Sequence, residues 1–182
     1  MPPLKVDGMV HPEEYEVRVD SEAHPISVYP DGAPVFTEVY YSFDGVALHF
    51  GIRRTKPLKI RGIAIWLDPD RNGCELGDLL VALKPPDRLL AYGIFDAPGQ
   101  ASQVAGSPPD LERAGVDLKC IEEGDTEIRL DLARLYANGL TPNPLPEELH
   151  VHVTVQAERE DGEIAVNFLK AAPVKTFVIA FE

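Results

Sequence analysis

Apolar and polar side chains alternate with a period of two along most of this chain. Val151, Val153, Val155 and Ala157 alternate with His150, His152, Thr154, Gln156 and Glu158. Val46, Leu48, Phe50 and Ile52 alternate with Ala47, His49, Gly51 and Arg53. Ile128, Leu130 and Leu132 alternate with Glu127, Arg129 and Asp131, and Ile164, Val166 and Phe168 with Ala165 and Asn167. Successive side chains of an extended strand point to opposite faces. Each set therefore predicts a strand with one face in a core and the other turned outward. Further strands are predicted at 16–19, 26–29, 37–43, 60–67, 79–83, 89–95 and 176–181.

Turn chemistry separates these runs. Asp31-Gly32, Asp44-Gly45, Asn72-Gly73 and Asp161-Gly162 are turn dipeptides. Phe43-Asp44-Gly45-Val46 and Glu160-Asp161-Gly162-Glu163 read as tight hairpins, and Pro85-Pro86 ends a strand or makes a hairpin corner. The stretch 97–115, with Pro98, Gly99, Gly106, Pro108 and Pro109, reads as a long surface loop. Residues 131–137 form a short helix stopped by Asn138-Gly139, and Thr141–Pro146 is a stiff extended connection. About ten short strands with regular turns predict an all-β fold. The expectation is a two-sheet antiparallel, jelly-roll-like sandwich with one short helical segment, in a single domain over 1–182.

Composition narrows the partners. The 182 residues carry 30 acids against 17 Lys plus Arg, a formal charge of −13. Such a surface repels nucleic acid and anionic lipid, so neither is expected as a partner. No run of 18 apolar residues exists, and the opening Met-Pro-Pro-Leu-Lys has no apolar leader. As written the chain is read as cytoplasmic; a leader removed upstream would make it extracytoplasmic. The two cysteines, Cys74 and Cys120, do not make a disulfide scaffold, and their pairing is left open.

Three pieces then fall in order: Lys5-Val-Asp-Gly8 followed by Glu14-Tyr15; the strand Tyr40-Tyr41-Ser-Phe43, an Asp-Gly turn and Ala47-Leu-His-Phe50; and Arg61-Gly-Ile-Ala-Ile-Trp-Leu-Asp68-Pro-Asp-Arg-Asn-Gly73. Thr126-Glu-Ile-Arg-Leu-Asp131 loosely matches a fourth. This order resembles the DOMON-like and family 9 carbohydrate-binding-module β-sandwiches. The resemblance implies a sandwich that binds sugar or haem, or serves as an accessory domain. Haem is disfavoured, because axial ligation there needs a Met, and Met1 and Met9 both lie outside the predicted strands.

Several residues can carry chemistry. Asp68, Asp70 and Asn72 alternate before Gly73, a spacing that turns oxygens inward onto a hard cation such as Ca²⁺. The twelfth loop position is Leu79 rather than a closing Glu, which leaves Glu75 or Asp78 to complete the set. His150 and His152, with Glu158 on the same parity, resemble the first metal motif of cupins and suit Fe, Mn, Zn or Ni. The spacing after His152 departs from that motif, and its second half is absent. Trp66 shares parity with Gly62 and Ala64, opposite Ile63, Ile65 and Leu67, so its ring can form a shelf on which a sugar stacks.

Tyr40, His49, Trp66, Arg129, His150, His152 and Asn167 all fall on outward parities and make the expected ligand set. The leading expectation is a non-catalytic module binding a carbohydrate or other small polar ligand, with structural Ca²⁺. The alternatives are a protein-interaction or assembly domain and a cupin-like metal enzyme. No nucleophile elbow, P-loop, dinucleotide fingerprint or His-Glu-x-x-His is present.

Overall fold

The structure is a computed structural model that describes residues 4–19, 37–54, 59–71, 77–97, 100–103, 110–121, 124–140, 146–158, 162, 164–168 and 177–180. Its strands are β1 (Val17–Val19), β2 (Thr37–Phe43), β3 (Ala47–Arg54), β4 (Lys59–Asp68), β5 (Leu79–Lys84) and β6 (Arg88–Ala97). They continue with β7 (Gln100–Gln103), β8 (Val116–Cys120), β9 (Thr126–Asp131), β10 (Glu148–Glu158), β11 (Ile164–Phe168) and β12 (Phe177–Ala180). One sheet has the order β1-β2-β3-β9-β8. The other runs β11-β10-β4-β5-β6-β7, with β12 beside the start of β10. Every pairing is antiparallel. The chain crosses between sheets after β3, β7 and β9, which makes an antiparallel two-sheet sandwich.

The period-two pattern explains the core. Val39, Leu48, Phe50, Ile52, Ile128 and Leu130 of the five-stranded sheet meet Ile63, Ile65, Leu67, Val81, Val151, Val153 and Val155 of the seven-stranded one, all buried. At about 25 cal/mol per Å² this apolar burial is the main stabilising term. The β2–β3 hairpin closes where expected. Asp44 Oδ1 accepts from the N–H groups of Val46 and Ala47 at 2.9 and 2.7 Å, and Gly45 takes φ +88°.

The helical content and the stretch 97–115 differ from expectation. Among the described residues there are two short helices, α1 (Leu111–Ala114) and α2 (Leu132–Ala137), besides a 3₁₀ turn at Pro12–Glu14. Each α-helix starts on an aspartate: Asp110 accepts from Arg113 N–H at 2.8 Å and Asp131 from Arg134 N–H at 3.1 Å. Tyr92 of β6 ties both to the core. Its hydroxyl donates to Ala114 O and accepts from Asn138 Nδ2, each at 3.0 Å. The stretch 97–115 thus contains β7 and α1. Gln-Ala-Ser-Gln of β7 has no apolar rhythm; it is a strand because its backbone pairs with β6. The strand predicted at 26–29 lies outside the described residues.

A larger correction concerns the outer face of the five-stranded sheet. Ala47, His49 and Gly51 point away from the core, yet all are buried. The N-terminal segment covers Gly51 and Tyr40: Val10 and Tyr15 lie against Gly51 and pack with Tyr40, whose ring centroid lies 5.9 Å from that of Tyr15, while His49 is bonded to Asp44. Glu127, fully buried on β9, holds the segment down. It accepts from the N–H groups of Asp7 and Gly8 at 2.7 and 2.8 Å and from the Tyr15 hydroxyl at 2.7 Å. Burial, and then the bond to Glu127, push the Tyr15 phenol far above its ordinary value, so it stays a donor. Gly51 makes this possible. A Cβ there would lie 2.7 Å from Tyr15 Cζ.

Two predictions follow from this arrangement. Glu127→Ala strands three donors and should cost about 2–4 kcal/mol in urea denaturation; Gly51→Ala should cost about 1–3 kcal/mol by displacing Tyr15. Losses below 0.5 kcal/mol, within the ordinary range of a surface change, would show that the segment does not depend on this contact. The second concerns acid. Burial pushes the Asp44 carboxyl up, but the bond to His49 at 2.9 Å and the Ala47 and Val46 N–H groups outweigh it and bring it from 3.8 to about 2. The folded state therefore holds its proton less tightly than the unfolded chain. The stabilisation is complete above about pH 4 and is lost as pH falls toward 2. Asp44→Asn should be less stable than the parent at pH 6, with the gap closing between about pH 4 and pH 2. A gap constant with pH would remove the charge from the account.

Candidate functional site

The candidate site forms on the outer face of the seven-stranded sheet, where β4 ends and β10 begins. Antiparallel register sets His150 opposite Asp68 and His152 opposite Trp66. Leu67, Ile65, Val151 and Val153 take the core side, so Trp66, Asp68, His150 and His152 share the other. On the next strand Leu80 pairs with Trp66, which brings Asp78, just before β5, beside Asp68. After β4 the chain turns sharply. Arg71 adopts φ +64°, and its N–H donates to Asp68 Oδ1 at 2.6 Å.

This turn folds Asp70 back. Carboxylate oxygens of Asp68, Asp70 and Asp78 lie within 4.8 Å of one another. Asp68 and Asp78 are fully buried, and Asp70 is exposed. The set is a buried floor of two carboxylates with one at the mouth. His152 flanks it, 2% exposed, with Nε2 3.5 Å from Asp68 Oδ2. Neither of its ring nitrogens has a hydrogen-bond partner. Burial holds the His152 imidazole below its ordinary value, Asp68 opposes this, and His150 adds to it. Burial thus favours the neutral form of the ring. The three carboxylates lie close enough together to hold a divalent cation, and the imidazole stands beside Asp68, outside that group.

Trp66 stands next to this cluster, half-buried. Its row across the sheet is His152, Trp66, Leu80 and Gly93, and the neighbouring row is Thr154, Ala64, Ala82 and Ala91. His152 and Leu80 thus flank the indole in its own row, and small side chains fill the next. Glu148, 3.4 Å from Arg71 Nη2 and 3.7 Å from His150 Nε2, lies at the rim.

The expected ligand residues divide between faces. Trp66, His150 and His152 come together with Asp68 and Asp70. Tyr40, His49 and Arg129 lie on the opposite side of the molecule, on the five-stranded sheet. There Tyr40 is covered by Tyr15 and donates to Glu38, His49 is buried against Asp44, and Arg129 is 3.6 Å from Asp131. Outward parity is shared by both sheets, so it cannot tell one face from the other. Asn167 pairs in register with Val155. Its side chain, like Asn72 and Glu75, lies outside the described residues. Glu158 does not join the histidines, because it sits six residues along β10 in an ion pair with Arg61. Cys120 is a free thiol, and Cys74 lies outside the described residues.

No protein-family model matches this chain, and no curated protein matches it either. Among the described residues no helix is long and apolar enough to cross a membrane.

Two buried ring nitrogens without partners lower stability for as long as nothing binds them. His152→Leu should therefore leave the metal-free protein unchanged or raise its stability by up to about 1 kcal/mol in urea denaturation. A loss above about 2 kcal/mol would mean that the imidazole is held by hydrogen bonds.

Proposed function

We propose that this chain is a non-catalytic binding module that takes a carbohydrate on the outer face of its seven-stranded sheet, beside a divalent cation held by Asp68, Asp70 and Asp78. The observation that carries the reading is the juxtaposition of Trp66 with that carboxylate cluster. An aromatic ring over small neighbours stacks on the C–H face of a sugar, and charged groups a few ångströms away bond its hydroxyls. The cation would be Ca²⁺, because three carboxylates are hard oxygen donors. It would fix the turn at Asp70 and present the rim that meets the sugar.

The likeness to DOMON-like and family 9 carbohydrate-binding sandwiches supports this reading in one further way. Two of the four pieces that carry it meet in space: Asp7-Gly8 and Tyr15 of the first all bond to Glu127 of the fourth. Segments about 120 residues apart in the chain share one buried carboxylate. That gives these short motifs a common structural reason to be present together.

A second reading rests on His152. A buried imidazole beside a carboxylate, with no well-formed hydrogen bond of its own, suits Zn²⁺, Mn²⁺ or Fe²⁺ better than Ca²⁺. It keeps the site and changes the cation, and with it the cupin-like enzyme alternative.

Trp66 is the single tryptophan, so its emission reports the site directly. Neutral oligosaccharides titrated in millimolar Ca²⁺ should shift that emission saturably. Asp70→Asn should remove both the response and the rise in Tm that Ca²⁺ brings through linkage. Trp66→Ala, followed by calorimetry, should weaken binding about tenfold, the worth of one stacked ring, with little change in Tm. No response to any sugar would end the carbohydrate reading. A Tm rise with Zn²⁺ or Mn²⁺ but not Ca²⁺ would favour the second.

A further inference from the structure

Strand β8 (Val116–Cys120) closes one side of the five-stranded sheet, and among the described residues no strand lies beyond it. It pairs with β9 without a register shift, Asp117 opposite Arg129 and Lys119 opposite Glu127. Bonds at its two ends fix which backbone groups face β9. Asp131 N–H donates to Gly115 O at 2.8 Å, and Ile121 N–H donates to Asp125 O at 3.2 Å. In an antiparallel ladder such bonds fall on every second residue. Residues 117 and 119 therefore bond to β9, and Val116, Leu118 and Cys120 turn their N–H and C=O groups to the open edge. Among the described residues nothing bonds to these outward groups. Val116 and Leu118 bury their side chains in the core, while those of Asp117 and Lys119 are exposed on the outer face. Neither of these two charged side chains has an ion pair or hydrogen bond among the described residues. Such an edge is a template for a further strand.

We propose that β8 is the self-association edge of this protein: two copies pair antiparallel through β8, with Leu118 of each on a two-fold axis. The sequence Val-Asp-Leu-Lys-Cys is complementary to itself in that register. Leu118 meets Leu118 of the second copy and Val116 meets Cys120, the residues whose N–H and C=O groups face the open edge. Asp117 then stands opposite Lys119 of the second copy, and Lys119 opposite Asp117, in the closely spaced pairs that exchange no backbone bonds. A lone lysine on an edge strand repels a second copy. Here the aspartate two residues earlier, on the same face, reverses that sign. Salt screens the formal charge of −13 beyond about 8 Å, so the pairs in contact decide. Among the described strands no other edge is set up this way. β1 has three residues, β7 meets β6 through a register shift, and β11 and β12 carry no charge to choose a register. The two-fold axis is perpendicular to the sheets, so both copies turn Trp66 to the same side. The pairing needs neither Trp66 nor the aspartate cluster; where the carbohydrate reading holds, it lets one polymer be held at two points.

Sedimentation velocity between about 10 μM and about 1 mM, in physiological salt, should show a monomer–dimer equilibrium with a Kd on the order of 100 μM, as for a small interface. Asp117→Lys and Lys119→Asp each turn two attractive pairs into like-charge pairs, and each should weaken self-association about tenfold or more. An equimolar mixture of the two variants sets opposite charges against each other again and should form a heterodimer as tight as the parent dimer. On the unaltered chain, amide hydrogen exchange followed by NMR should slow at Val116, Leu118 and Cys120 as concentration rises, and stay constant at Asp117 and Lys119. That alternation reads the pairing even where a charge variant does not fold. No sugar is present in these measurements, so their outcome is independent of the carbohydrate reading. A chain that stays monomeric at the highest concentration, reversals that leave the dimer unchanged, folded variants that stay monomeric when mixed, or protection confined to another strand overturns the proposal.

Discussion

The antiparallel pairing of β4 with β10 is the constraint on which the rest depends. It lies inside the seven-stranded sheet and runs nearly the length of both strands. Its core side supplies Ile63, Ile65, Leu67, Val151, Val153 and Val155. Its outer side sets His150 across from Asp68 and His152 across from Trp66. A slip of one residue would send all of these to the wrong face, because side chains reverse at every step. The hydrophobic cost of such a slip therefore holds the polar cluster in register, although the cluster contributes little to the core.

The same strand separates charge. Lys59 and Arg61 begin β4 and Asp68 ends it, roughly 25 Å away at 3.3 Å per residue. Arg54, Lys59 and Arg61, the last paired with Glu158, stand round one end of the sheet, and Asp68, Asp70 and Asp78, with His152 beside Asp68, round the other. At that distance, several Debye lengths in physiological salt, the two ends barely sense each other. The acidic net charge hides this division, since a sum over the chain says nothing of where the charges lie.

Buried polar groups in this molecule serve two different ends. Glu127 is fully engaged, with three donors on its carboxylate, and fastens the N-terminal segment over the sheet. His152 is as deeply buried, makes no well-formed hydrogen bond on either nitrogen, and has only Asp68 Oδ2 at 3.5 Å beside it. A satisfied buried charge stabilises a fold. An unsatisfied buried imidazole beside carboxylates lowers its stability and is open to a ligand.

Much of the architecture was legible in the residue order. The strands at 37–43 and 79–83, the Asp44-Gly45 hairpin and the helix after Asp131 follow from periodicity and turn chemistry, because these depend on neighbours in the chain. Asp68 and Asp70 were legible as a candidate turn for the same reason. The strand at 100–103 was not, since backbone pairing alone makes it. Nor was the burial of Tyr40 and Gly51, which a segment more than 20 residues earlier covers. The meeting of Asp68 with His152 and the gathering of Arg54 with Lys59 also depend on register between distant strands and on which ends of the sheets lie together. Local pattern determines which way each side chain faces within its own strand. Only packing decides what stands opposite, because the hydrogen bonds that choose a neighbouring strand are the same for every residue.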